Sequence, residues 1–109
     1  MNQKTVADAL NVFYELGSAL SDAYWETNDI DNKDIFFAMK LMLQEELDEL
    51  HKLSMQDHIY PYEPINPNVV RLSGKLRTLH KGLDDIVYRP QTLMLLEELI
   101  PSACDLFEK

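Results

Sequence analysis

The stretch His58-Ile59-Tyr60-Pro61-Tyr62-Glu63-Pro64-Ile65-Asn66-Pro67 divides the chain, because a proline at every third position leaves no room for a helix within it. Each proline lacks a backbone donor and pushes its predecessor toward extended geometry. The spacing has the period of a polyproline II helix, a form that also serves as a ligand for aromatic-lined grooves. Here a rigid span between helices accounts for it. On the upstream side, Ile35, Phe36, Met39, Met42, Leu43, Glu46, Leu47, Leu50 and Leu53 recur at helical spacing and predict a helix over about 32–56. The turn-forming run Asn28-Asp29-Ile30-Asp31-Asn32 separates it from a first helix over about 4–27. That helix turns Val6, Leu10, Phe13, Leu16, Leu20 and Tyr24 inward, with Gly17 among them where a missing side chain would let a neighbour approach closely.

On the downstream side, Asn66-Pro67 matches an N-cap followed by proline at the first helical position. Val69, Leu72, Leu76, Leu79, Leu83 and Ile86 then predict a third helix over about 67–88. Pro90 opens a fourth over about 90–107, with Leu93, Leu96, Leu99 and Ile100 inward and a kink or break expected at Pro101. No segment alternates as a strand does. The expectation is an all-α single domain over residues 1–109, a four-helix bundle of two antiparallel hairpins joined by the Pro-rich crossing loop.

A length of 109 residues allows one core, and 46% hydrophobic with 27% charged residues is the balance of a folded globular chain. The net charge of −9 disfavours direct binding to nucleic acid or to an anionic membrane. All of it belongs to residues 1–66, which hold 4 basic and 13 acidic residues, while residues 67–109 hold 6 of each. The opening MNQKTVADAL lacks the basic and apolar regions of a signal peptide, and no apolar run is long enough to span a bilayer. A cytoplasmic location is therefore expected. Cys104 is the only cysteine, so no internal disulfide forms, and it reads as a small apolar side chain.

Glu45-Glu46-Leu47-Asp48-Glu49 is the densest acidic group, and Glu46 falls on the inward stripe. A carboxylate there must be paired, protonated, near a metal or reached by solvent. With Glu45, Glu46 and Glu49 as a helical EExxE, the chain resembles the MazG-like all-α nucleotide pyrophosphatases. That resemblance implies magnesium held by these carboxylates and hydrolysis of a nucleoside triphosphate. The family's later ExxD is not met, because Lys81 and Gly82 stand where glutamate is required ahead of Asp84 and Asp85. His80-Lys81-Gly82 is similar to the His-x-x-Lys-Gly setting of histidine phosphotransfer domains, but here lysine follows histidine directly. His51 and His58 stand two helical turns apart, too far to share a metal unaided.

Two further features point to partners. Arg71, Lys75, Arg77 and Lys81 form a basic strip that either meets an acidic group elsewhere or pairs with the acidic first two helices of the same molecule. Tyr14 and Trp25, three helical turns apart and off the main stripe, either wrap the core beside the crossing segment or belong to an interface. With no complete catalytic set and no cofactor motif, the sequence points to a non-enzymatic interaction or regulatory module with a protein partner, a homodimer being one form. The magnesium-dependent pyrophosphatase is the alternative.

Overall fold

A computed structural model describes residues 4–108; residues 1–3 and 109 of the predicted domain lie outside the described residues. Among the described residues the chain forms five α-helices and a 3-10 turn, with no strand. Helix α1 (Val6–Glu26) starts on a capping box: Asp8 N donates to Thr5 Oγ1 at 3.1 Å and Thr5 N to Asp8 Oδ2 at 3.0 Å. These bonds satisfy two of the donors a helix start would otherwise leave free, and they hold the Asp8 carboxyl below its ordinary range. Helix α2 (Ile30–His51) starts two residues earlier than the expected Asn32. Its cap is Asp29, whose Oδ1 accepts from Asp31 N at 2.8 Å and Asn32 N at 3.2 Å.

Helix α2 also stops short of the expected Gln56. Lys52 N and Leu53 N bond back to the third preceding carbonyls, at 3.2 and 3.1 Å, and this tightening ends the α-helix before a 3-10 turn over Met55–Ile59. Residues 60–68 carry no helix. Their start is stitched to the head of α1 by Val6 N donating to Tyr60 O at 2.9 Å and Tyr62 N to Lys4 O at 2.8 Å.

Helix α3 (Val69–Lys81) begins two residues after Pro67, because the Asn66 side chain accepts from Asn68 N at 2.8 Å and closes a turn first. It ends at Gly82 instead of reaching residue 88, and a single turn, α4 (Leu83–Ile86), follows. Helix α5 (Pro90–Phe107) has Pro90 in its first turn and runs unbroken through Pro101. The carbonyl that Pro101 leaves without a donor belongs to Glu97, an exposed residue, so water can supply the bond.

Helix α1 packs against α2 and α5, and α3 against α5 and α2. Phe13 sits at the centre, stacked on Phe107 with centroids 4.9 Å apart and edge-on to Tyr62 at 5.4 Å. Leu16, Leu20, Phe36, Leu43, Leu72, Leu76 and Leu96 are buried around it. Burial of a leucine or phenylalanine contributes about 1.5–3 kcal/mol, so this shared seam dominates stability. Gly17 was expected to permit a close approach. A Cβ there would meet Leu43 Cδ2 at 3.6 Å, an ordinary contact, so the packing does not require glycine. Among the described residues no helix is long and apolar enough to cross a membrane.

Candidate interaction face

Glu46 is fully buried, and its carboxylate is filled by donors from the crossing segment. Oε1 accepts from Asn66 N at 2.8 Å, while Oε2 accepts from Ile65 N at 3.0 Å and from the Tyr62 hydroxyl. Burial, and then this bond to Glu46, push the Tyr62 phenol well above its ordinary range. Glu46 therefore fastens residues 60–68 to α2. Glu45 is exposed, and Glu49 pairs with Lys52 at 3.1 Å, so the three EExxE carboxylates do not converge. Among the described residues no group of three or more histidine, cysteine or acidic side chains could hold a metal ion. A carboxylate whose oxygens already accept N–H and O–H bonds does not fit the magnesium site that the resemblance implies.

The basic strip splits in two once folded. Arg77 turns toward α5, donating to Glu108 at 2.6 and 2.7 Å, and Ser73 donates to the same carboxylate. These bonds, Arg77 first, lower the Glu108 pKa from 4.5 to about 2. Arg71 and Lys75 turn the other way, into a groove of about 830 Å³ between α2 and α3. Neither they nor Lys81 have an ion pair within 4.0 Å among the described residues. Asp34 stands on the α2 wall of the same groove without bridging to them.

The groove is lined by Ile35, Ala38 and Met39 from α2 and by Gly74 and Leu79 from α3. Ile35, expected in the core, is 40% exposed at its margin. A Cβ at Gly74 would meet nothing within 4 Å, so glycine keeps the α3 wall low. On the outer side of α2, Phe37, tilted against Tyr24 of α1 with centroids 6.2 Å apart, and Leu41 are 50% and 52% exposed. The run Ile35–Leu43 contains one charged residue, Lys40, and its apolar side chains point all round the helix. A helix apolar on every side is ordinarily enclosed. Here only the Phe36, Met39 and Leu43 side is buried. Comparison with known protein families, curated proteins and solved structures finds no match.

The aromatic pair read from the sequence divides as well. Tyr14 stacks on His51 and hydrogen-bonds its Nε2. Trp25 is 75% exposed, edge-on to Tyr24, with Lys33 Nζ 5.4 Å from its ring. Trp25 and Tyr88 line a cleft of about 460 Å³ at the α1–α2 turn. In that cleft Glu26 Oε2 accepts from Thr92 Oγ1 at 2.8 Å, which places a negative charge at the start of α5. His80 is exposed, and His58 sits in the 3-10 turn with Nε2 buried and without a hydrogen-bond partner among the described residues. Cys104 is buried and its thiol is pushed up by that burial.

Phe37 and Leu41 escaped the sequence reading, which followed only the strongest stripe on α2. The available signal was the run Ile35–Leu43 itself, too apolar for a helix with one covered side.

Proposed function

We propose that this chain is a small acidic, non-enzymatic protein-interaction or regulatory module of the cytoplasm, built as a four-helix bundle of two antiparallel hairpins with a Pro-rich crossing loop. It engages a protein partner through the outer face of α2 and the adjoining α2–α3 groove. The observation that carries this reading is the set of exposed apolar side chains on α2, Phe37 and Leu41 on its outer side and Ile35 at the groove, together with two cations without an ion pair, Arg71 and Lys75. Exposed aromatic and aliphatic anchors next to unpaired charge are the ingredients of a protein interface. Trp25 offers a second, smaller aromatic contact.

A photoreactive phenylalanine analogue placed at Phe37 in the cells that express the protein tests this. It should form a discrete cross-linked protein adduct, while the same analogue at exposed Glu98 on α5 should not. Equal, diffuse labelling at both positions would reject the face. The alternative reading, a divergent MazG-like pyrophosphatase, predicts magnesium-dependent release of pyrophosphate from nucleoside triphosphates that is lost in Glu49→Gln. The purified chain is expected to release none.

A further inference from the structure

We infer that the occupant of the α2–α3 groove is the outer face of α2 from a second copy of this chain, so that two copies pair about a two-fold axis; the inference rests on the interaction reading above. On α2 the positions Ile30, Asp34, Phe37, Leu41, Glu45 and Asp48 follow one another at spacings of three and four and form a single exposed stripe. The stripe holds three apolar and three acidic side chains, with Phe37 and Leu41 adjacent at its centre between Asp34 and Glu45. The groove beside it offers the complement, an apolar floor with Arg71 and Lys75 on the far wall. A two-fold interface requires one surface to carry both halves of the match, and this surface does.

The geometry of the walls supports an inserted helix. Asp34 faces Arg71 and Lys75 across the groove without an ion pair, so within one copy the opposed charges are held apart. An acidic stripe laid between the walls brings carboxylates of the second copy to both cations. The low wall at Gly74 and the small side chain of Ala38, midway between Phe37 and Ile35, let two α2 helices approach. The chain's net charge of −9 opposes self-association in general. The cations offered here come from residues 67–109, whose net charge is zero, so the acidic stripe is offset locally.

Sedimentation equilibrium on the full chain tests the inference. The wild type is expected to dimerise at micromolar concentration. Phe37→Ser with Leu41→Ser should weaken the dimer by about thirtyfold or more, the effect of losing a hot-spot side chain. Arg71→Glu with Lys75→Glu should weaken it as well, with far-UV circular dichroism unchanged in both variants because all four side chains are exposed. Ala38→Cys, oxidised under native conditions, should give a covalent dimer, whereas the wild type, whose Cys104 is buried, should give none. A strict monomer at high micromolar concentration overturns the inference, as does a dimer indifferent to these substitutions or one that Ala38→Cys fails to trap. If the Phe37 photoprobe then captures a different protein, the interaction reading stands without the self-pairing. If it captures nothing, both fall.

Discussion

At Glu46 a buried carboxylate meets three donors of one loop, and the arithmetic of buried polar groups decides what its removal does. Glu46→Ala removes the acceptor that the Tyr62 hydroxyl and the Ile65 and Asn66 amides share, and a polar group buried without its acceptor costs about 1–3 kcal/mol, less where it is part-buried as the two amides are. Against a total stability of about 5–15 kcal/mol for a domain, this substitution should unfold a large fraction of the protein. Glu46→Gln keeps one carbonyl acceptor and should cost about 1–3 kcal/mol. Tyr62→Phe keeps the ring against Phe13 and removes the hydroxyl's bond to Glu46. Urea unfolding of the two single variants and the double is expected to give a coupling of about 1–2 kcal/mol; additive losses would show that the hydroxyl and the carboxylate act separately. Gly74→Ala makes the opposite prediction. It sits inside α3 with open space where its Cβ would go, so it should raise stability by about 0.5–1 kcal/mol, read as a higher urea midpoint.

Among the elements, α5 depends on its last turn. Glu108 receives Arg77 and Ser73 of α3 and so fastens the end of α5 to that helix. Its pKa is depressed from 4.5 to about 2, so the unfolded chain takes up a proton more readily as pH falls and the contribution is present above pH 4.5. It should fade between pH 4.5 and about 2. Melting curves of wild type and Glu108→Gln should therefore differ at pH 6 and converge as pH falls through that window; a constant gap would mean the group acts through packing alone. The helices themselves were legible in the apolar rhythm of the chain, because α1 and α5 each bury one stripe that recurs every three or four residues. The ends were less so. Gly82 stopped α3 early and Asp29 started α2 early through local hydrogen bonds that periodicity does not register. Glu46 was visible as a polar residue on an apolar stripe, but its partners came from a loop whose backbone amides have no signature in sequence. Phe37 and Leu41 were hidden by a better stripe on the same helix, and the basic strip looked single because four charges in sequence cannot show that α3 points them at different neighbours.

For the molecule as a whole, the separation of charge sets a different kind of prediction. Helices α1 and α2 pack side by side and carry most of the 13 acidic residues of the first 66, so folding concentrates like charge that the unfolded chain can spread out. The helices α3 and α5 behind them carry mixed charge and relieve this little, since among the described residues the ion pairs run between α2 and its C-cap Lys52 or between α3 and the end of α5. Self-repulsion of this kind destabilises the compact state and is screened by salt over a distance of about 10 Å at 0.1 M. Screening also weakens the exposed Arg77–Glu108 pair, but exposed pairs contribute little. The repulsion should win, and the melting temperature at neutral pH should rise when sodium chloride is increased from low to moderate concentration. The Phe37→Ser, Leu41→Ser variant isolates the effect from any change in association, because its melting temperature should not depend on protein concentration. A melting temperature in that variant that falls with salt would show that attraction between the acidic and mixed-charge halves outweighs repulsion within the acidic one.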